Sequence, residues 1–71
     1  MKFHYYKETD SLYIDLIART SVDSKEISPG VVVDYAEDGR VVGIDIQHAS
    51  EVADLSVLEA DEIPVRRVTL A

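Results

Sequence analysis

The sequence predicts an α+β fold, in which a curled antiparallel β-meander is followed by a short helix near the C-terminus and a candidate last strand. Polar turn signals divide the first two thirds of the chain into segments whose apolar residues alternate, a pattern typical of half-buried strands. Asp38-Gly39 lies between two runs of β-branched residues, which is a strong hairpin signal. After His48 the apolar spacing lengthens to about three residues, which indicates a helix.

Length and composition predict one small globular domain, residues 1–71. Of the 71 residues, 46% are hydrophobic and 30% are charged, as in folded chains. A chain of 7.9 kDa buries only about 60% of its unfolded surface and is marginal alone. Cysteine is absent, so disulfides and thiolate metal sites cannot add stability. Self-association is a remaining source of the additional stability.

The charge distribution argues against anionic partners. The formal net charge is −7, and residues 41–65 contain six acidic residues and no Lys or Arg. Such a field repels nucleic acid and anionic membranes, and favours a basic protein or a cation. The alternative is that the acidity only serves solubility. Because the N-terminal region has no apolar run, and no stretch is long enough to span a membrane, we expect a cytoplasmic protein.

The first half of the chain predicts three strands in order. Residues 3–6 and 12–17 are strands separated by a polar loop, and residues 22–27 form a weaker strand near a sheet edge. Leu12, Ile14 and Leu16 share one face of the second strand. Pro29-Gly30 then suits the centre of a type II turn.

Residues 31–36 and 40–47 predict a hairpin around Glu37-Asp38-Gly39. Alternation divides the second strand into two faces, and the first strand supplies a matching apolar face. The two apolar sets are Val42, Ile44 and Ile46, and Val31, Val33 and Tyr35. Gly43 weakens a strand unless something packs closely against it or a bulge is present, and the sequence leaves both alternatives open.

The C-terminal third predicts a short amphipathic helix through Val52, Leu55 and Leu58, capped by Ser50. Alternatively, Ser56 with Glu59 forms a capping box that begins a second helix. Residues 64–70 have the composition of a last strand. Its faces would be Val68 with Leu70, and Arg67 with Thr69. This strand either completes its own sheet or crosses to a neighbouring chain.

Several blocks of the sequence carry a family resemblance. They are Glu8-x-Asp10-x-Leu12-Tyr13-Ile14-x-Leu16, Pro29-Gly30-Val31-Val32-Val33-Asp34, Glu37-Asp38-Gly39-x-Val41-Val42-Gly43-Ile44-Asp45-Ile46 and Ala49-Ser50. With this spacing the chain resembles the bacterial and archaeal family called Domain of Unknown Function 2283 over about residues 5–50. It differs at Tyr6-Lys7, where relatives often have Asp-Pro. The resemblance implies a small β-rich domain without an established activity, and it suggests a gene neighbour from small toxin-like families.

The chemistry-bearing residues do not form a recognisable catalytic constellation. His48 and Glu51 have i, i+3 spacing, but a zinc site would also need His4 and further carboxylates. Asp34 and Asp45 lie on outward positions of paired strands, where they could form an acid/base pair or face solvent separately. No serine lies in a G-x-S-x-G elbow, and the three glycines are isolated. We therefore predict no catalytic, cofactor-binding or metal residues, and no cofactor.

Two hypotheses for function follow. The first is a non-enzymatic binding or self-assembling module, a homodimer joined through sheet edges, which binds a basic protein through residues 41–65 in an antitoxin-like manner. The alternative is a small enzyme or metal-dependent site at a dimer cleft, built from His48, Glu51 and the strand carboxylates. The four tyrosines and Phe3 fit either sheet packing or an interface, and Arg66-Arg67 could neutralise acidic residues of the same or a second subunit.

Overall fold

A computed structural model describes residues 1–70 of the chain, so the predicted domain of residues 1–71 extends one residue, Ala71, beyond the described part. Five strands and one short helix make up its regular structure. In chain order they are β1 (Lys2–Tyr6), β2 (Ser11–Asp15), β3 (Asp23–Ser28), β4 (Val31–Tyr35), β5 (Val41–Ile46) and α1 (Ala49–Val52). No helix in residues 1–70 is long and apolar enough to cross a bilayer.

All five strands belong to one antiparallel sheet with the order β1-β2-β5-β4-β3. Two locally connected units build it: the hairpin β1–β2 and the meander β3–β4–β5. They join where β2 pairs with β5, in a register that places Leu12 opposite Ile46 and Ile14 opposite Ile44. The predicted α+β meander is confirmed, with this one pairing between strands that are distant in sequence.

Turn chemistry positions the strands as the sequence predicts. Gly30 and Gly39 have φ values of +80° and +86°, which glycine adopts without the steric cost that a Cβ imposes. They end the β3–β4 and β4–β5 turns, next to Pro29 and Asp38 respectively. The weakly signalled third strand is an edge strand, as expected, and its register with β4 shifts between Glu26 and Ser28.

The helix differs from the prediction in position and length. It spans only Ala49–Val52, with His48 in the N-cap position, so the predicted Ser50 cap and the helix through Leu58 are both wrong. The backbone N–H and hydroxyl of Ser56 donate to the Asp54 carboxylate, a local turn that competes with helical hydrogen bonds and holds the pKa of Asp54 below its usual value. An isolated helix shorter than about 12 residues is marginal without packing, which this segment lacks.

Residues 64–70 form no strand with the sheet of their own chain. Of the two alternatives that the sequence left open, completion of the same chain's sheet is therefore not realised. Every residue from 54 to 70 is exposed.

The buried core within residues 1–70 is small. Its apolar members are Val33, Ala36, Val42 and Ala49, and no large side chain in this part of the chain is fully buried. Val33 lies on β4 and Val42 on β5, Ala36 directly follows β4, and Ala49 begins α1. The core therefore follows the two central strands from the β4–β5 turn to the end where α1 begins.

Candidate functional site

The pairing register gives the sheet two chemically different faces, because side chains alternate along each strand. We call one the apolar face; it carries Phe3, Tyr5, Leu12, Ile14, Val31, Val33, Tyr35, Val42, Ile44 and Ile46, with the charged residues Asp23 and Lys25 at its β3 edge. The other is the polar face; it carries Lys2, His4, Tyr6, Tyr13, Asp15, Ser24, Glu26, Val32, Asp34 and Asp45. The predicted matching of apolar residues on β4 and β5 is confirmed for the pairs Val31 with Ile46 and Val33 with Ile44. Tyr35 instead lies opposite Val41, because the register shifts between Asp34 and Tyr35.

Tyr13 organises the polar face. Its hydroxyl donates to Asp34 Oδ2 at 2.8 Å, and Ser24 Oγ donates to Asp34 Oδ1 at 2.6 Å. The tyrosine ring lies directly over Gly43, where a Cβ would come within 2.5 Å of Tyr13 Cζ. Through these contacts one chain of side chains crosses β2, β5, β4 and β3.

Gly43 resolves the two alternatives that the sequence left open, because both are present. The Tyr13 ring packs against it, and the register between β4 and β5 shifts between Asp34 and Tyr35. Glycine is required here for close approach, since any side chain would occupy the space of the ring.

The Tyr13 hydroxyl is held in its protonated form. Burial, followed by the hydrogen bond to Asp34 and its negative charge, raises the pKa of Tyr13 to about 12. The neighbouring carboxylates Asp15 and Asp45 act in the same direction. At neutral pH the Tyr13 hydroxyl is therefore protonated, and its hydrogen bond to Asp34 links β2 to β4.

Asp34 and Asp45 lie on the same face of paired strands, as predicted, but they are not directly opposite each other. Asp34 lies opposite Gly43, whereas Asp45 lies opposite Val32 on one side and Tyr13 on the other. The two acids are therefore diagonal neighbours, and Asp34 makes its hydrogen bonds to Tyr13 and Ser24 instead. The hypothesis of an acid/base pair of these two residues is replaced by a tyrosine–aspartate–serine network.

A second polar cluster surrounds Asp10, which has a left-handed φ of 51°. The carboxylate accepts hydrogen bonds from Tyr5 Oη at 2.7 Å, from Ser50 Oγ at 2.7 Å and from the Ser50 backbone N–H at 3.1 Å. The Asp10 carbonyl accepts the Ala49 N–H at 2.8 Å. Asp10 thus ties the β1–β2 turn to the start of α1, and Ala49 beside it is fully buried.

Hydrogen bonding in this cluster shifts two pKa values. Donation from Ser50, and then from Tyr5, lowers the pKa of Asp10 below its ordinary value of 3.8. The same carboxylate raises the pKa of Tyr5 above its ordinary value, chiefly through their hydrogen bond. The cluster is therefore most stable when the carboxylate is ionised and the phenol is protonated.

His48 and Glu51 are brought together as their spacing suggested, with His48 Nδ1 at 3.4 Å from Glu51 Oε2. Both side chains are largely exposed, and they line an open groove of about 460 Å³ with Pro29, Gly30, Gln47 and Val52. In residues 1–70, no three His, Asp or Glu side chains converge in a way that could hold a metal ion. His4, the other histidine, instead lies beside Tyr6 with ring centroids 4.3 Å apart.

Within residues 1–70, no second layer of structure covers the apolar face. A sheet that is apolar on one face is normally buried against another sheet or a helix, but α1 has only four residues. Leu12, Ile14, Ile44 and Ile46 remain half-buried, and Phe3 is 47% exposed. The chain presents 6058 Å² of accessible surface, whereas a compact chain of 7.9 kDa presents about 4,400 Å².

The segment from residue 54 to residue 70 adds further exposed apolar side chains to those of the sheet. They are Leu55, Val57, Leu58, Ile63, Val65, Val68 and Leu70. The radius of gyration, 13.0 Å, exceeds the roughly 11 Å of a compact chain of this length, as expected for a sheet with an uncovered face and an extended end.

Sequence reasoning missed the two polar clusters, whose partners are distant in sequence. Ser24 and Asp34 belong to one hairpin, but Tyr13 reaches Asp34 only because β2 pairs with β5. Gly43 inside an otherwise β-branched strand was the one available signal. For the Asp10 cluster, the signal was an aspartate directly before a strand, in a residue type that tolerates left-handed backbone.

These features define a class of small protein with a single antiparallel sheet, one polar face fixed by hydrogen bonds, and one apolar face that lacks a partner layer. The chain belongs to the family described as Protein of unknown function (DUF2283), whose sequence profile matches residues 2–50. The matched residues contain all five strands and the first two residues of α1, and the family resemblance seen in the sequence is confirmed. Searches among curated proteins and among solved structures give no match.

Proposed function

We propose that this protein is a self-assembling module, in which the apolar face of one chain packs against the same face of a second copy. The observation that carries the proposal is the missing second layer: within residues 1–70 the core contains four small apolar residues and no fully buried large one. Two copies of the sheet packed about 10 Å apart would bury the half-exposed residues of both.

The exposed area is sufficient for such an interface. The chain presents about 1,650 Å² more surface than a compact monomer of its mass, from 6058 Å² observed. A standard protein interface buries about 800 Å² on each partner. The excess therefore covers an interface of ordinary size and leaves further surface from the extended C-terminal segment.

A matched pair of substitutions on β1 tests this proposal. Phe3 and Tyr6 are 47% and 49% exposed and lie on opposite faces of the same strand. Full burial of a Phe side chain is worth about 1.5–3 kcal/mol, and Phe3 is already half-buried in the single chain. Phe3→Asp therefore removes about half of that from each copy, and the dimer dissociation constant should rise by at least about tenfold. Tyr6→Asp, on the polar face, should leave it nearly unchanged.

Light scattering after gel filtration, over a range of concentrations, measures the outcome. We expect twice 7.9 kDa for the native chain and a shift towards 7.9 kDa for Phe3→Asp alone. A native chain that stays at 7.9 kDa at every concentration contradicts the proposal. Equal effects of the two substitutions would place the interface elsewhere.

A second candidate function, the antitoxin-like capture of a basic protein, is favoured by one observation. The acidic residues of the C-terminal segment are all exposed, and among residues 1–70 none of them lies within ion-pair distance of a Lys or Arg. They are Asp54, Glu59, Asp61 and Glu62. Exposed charges of one sign accelerate association with a partner of opposite sign.

Charge reversal tests the second candidate. The triple variant Glu59→Lys, Asp61→Lys and Glu62→Lys should abolish retention of a basic partner that the native chain captures at low salt and releases at high salt. The control reverses three other exposed acids, at 8, 26 and 37, and changes the net charge equally. Retention that falls equally in both variants would mean that only net charge matters, and unchanged retention would exclude the segment.

A further inference from the structure

We propose that residues 66–70 of one copy add to the β1 edge of its partner copy as a sixth strand. This inference rests on the proposed self-assembly and names the segment that reaches across. It assigns a role to the part of the chain that lies beyond the residues matched by the family.

The C-terminal segment has the properties of a strand without a sheet. Residues 65–70 are Val-Arg-Arg-Val-Thr-Leu, rich in residues that favour β structure, and Pro64 stands directly before them. All of these residues are exposed, with Leu70 at 86%. The Val65 N–H donates to the Ile63 carbonyl at 2.8 Å. Residues 66–70 form no strand with their own chain and no backbone hydrogen bond within residues 1–70, so their N–H and C=O groups can pair with another chain.

Of the two sheet edges, β1 is the one open to pairing. β3, the opposite edge, has a register shift between Glu26 and Ser28, carries Lys25, and is followed by Pro29; bulges, charges and prolines are features that discourage edge pairing. β1 pairs with β2 in a continuous register from Lys2 to Tyr6, contains no proline, and carries its one lysine, Lys2, at its first residue. Its free edge is therefore regular and accessible.

The alternation of the segment matches the two faces of the sheet. With Val68 and Leu70 directed to the apolar face, they extend the row that Phe3 and Tyr5 begin on β1. Arg67 and Thr69 then lie on the polar face, which carries several carboxylates. Those nearest to β1 are Asp15, opposite Lys2, and Asp45, opposite Tyr13. The apolar face thus gains Val68 and Leu70, with Arg66 at the start of the added strand. On the polar face Arg67 lies beside β1, one strand away from Asp15, and the β1 side chains between them are Lys2, His4 and Tyr6.

The connecting residues 54–64 are long enough to let residues 66–70 cross from one copy to the other. Eleven residues, 54–64, separate the last contact near α1 from Val65, and an extended chain of that length spans about 36 Å. The longest dimension of the whole chain is 31 Å. Residues 66–70 can therefore reach the β1 edge of a partner copy whose sheet packs against the sheet of their own chain.

Amide hydrogen exchange measured by NMR on the full chain tests the pairing. In an antiparallel edge strand, alternate amides donate to the neighbouring strand and the others point outward. We expect both sets of β1 amides to be protected in the native chain, whereas the outward amides of β3 exchange freely. Val68→Pro, which removes a backbone donor, should lower the protection of the outward β1 set by at least about tenfold.

Val57→Pro is the matched control, because it makes the same change at an exposed valine of the connection and should leave β1 protected. Isotope-filtered NOEs in a mixed-label sample then show whether residues 66–70 contact β1 of the same chain or of the other chain. If the outward β1 amides are protected but the NOEs to residues 66–70 lie only within one chain, the crossing of this segment to the partner copy is overturned. A dimer whose outward β1 amides are unprotected overturns the inference and leaves the self-assembly proposal intact. A chain that is monomeric at all concentrations overturns both.

Discussion

Replacing Gly43 by alanine is expected to destabilise the protein by displacing Tyr13 from the sheet. A Cβ at position 43 would lie 2.5 Å from Tyr13 Cζ and 3.0 Å from Cε2, both well inside van der Waals contact. The backbone of β5 is held by ladders on both sides, so the tyrosine must move. As the ring rotates away, the hydrogen bond from the Tyr13 hydroxyl to Asp34 breaks, and the Asp34 carboxylate loses one of its two donors.

The expected magnitude follows from two opposing terms. A hydrogen bond to a carboxylate contributes about 1.5–3 kcal/mol. Alanine is favoured over glycine within a strand by about 0.5–1 kcal/mol. Gly43→Ala should therefore lower the free energy of unfolding by about 1–2 kcal/mol. It should also bring the pKa of Tyr13 down from about 12 towards its ordinary value of 10.0, because the ring becomes solvated and leaves Asp34.

Urea unfolding at one fixed protein concentration measures the first effect, since self-association makes stability concentration-dependent. An ultraviolet titration of tyrosine measures the second. The control is the same substitution in a Tyr13→Ala background, where no ring opposes the new Cβ and alanine should stabilise by about 0.5–1 kcal/mol. If Gly43→Ala has the same effect in both backgrounds, the close packing of Tyr13 on Gly43 is refuted.

Three further predictions concern single positions. Tyr13→Phe should remove a loss of stability that the native chain shows in alkali. Because the pKa of Tyr13 is raised in the folded state, its contribution to the free energy of unfolding is complete below pH 10.0 and declines as the pH rises towards about 12. Unfolding curves of Tyr13→Phe should lack this decline. Asp10→Asn should remove a loss of stability that the native chain shows in acid. Because the pKa of Asp10 is lowered in the folded state, the ionised carboxylate stabilises the fold above pH 3.8, and this stabilisation is lost as the pH falls further. Hydrogen exchange of the Ser50 amide, which donates to Asp10, measures the loss. Gly39→Ala should cost about 1–2 kcal/mol in thermal unfolding through its φ of +86° alone, since its Cβ would meet nothing within 4 Å; an unchanged midpoint would show that the turn adjusts.

The strands were predictable because their signals are local. Alternation assigned Leu12 and Ile14 to one face, and Asp38-Gly39 marked the hairpin, since turn geometry and side-chain period act over a few residues. The order of the strands required one non-local fact, the pairing of β2 with β5. No short-range pattern specifies that pairing.

The C-terminal third was poorly predictable for a different reason. Val52, Leu55 and Leu58 have helical spacing, but spacing stabilises a helix only where a surface covers its apolar side, and these residues are exposed. The hydrogen bonds from Ser56 to Asp54 then decide the local structure. The polar clusters were missed because Tyr13 and Asp10 meet partners 21 and 40 residues away, respectively.

The pairing of β2 with β5, which we call the joint, connects the hairpin β1–β2 to the rest of the sheet, and we expect the sheet to separate there first. The hairpin β1–β2 and the meander β3–β5 can each form from neighbouring residues, so their docking closes the longest loop and is expected to be the late, slow step of folding. Both polar clusters cross this joint: Tyr13 holds β2 to Asp34 on β4, and Asp10 holds the β1–β2 turn to Ser50 beyond β5. If the joint opened, β2 and β5 would become bare edges able to pair with the same strands of other molecules. We therefore expect the hydrogen bonds of Asp34 and Asp10 to oppose exchange of whole hairpins and aggregation, because both bonds must break before β2 and β5 separate.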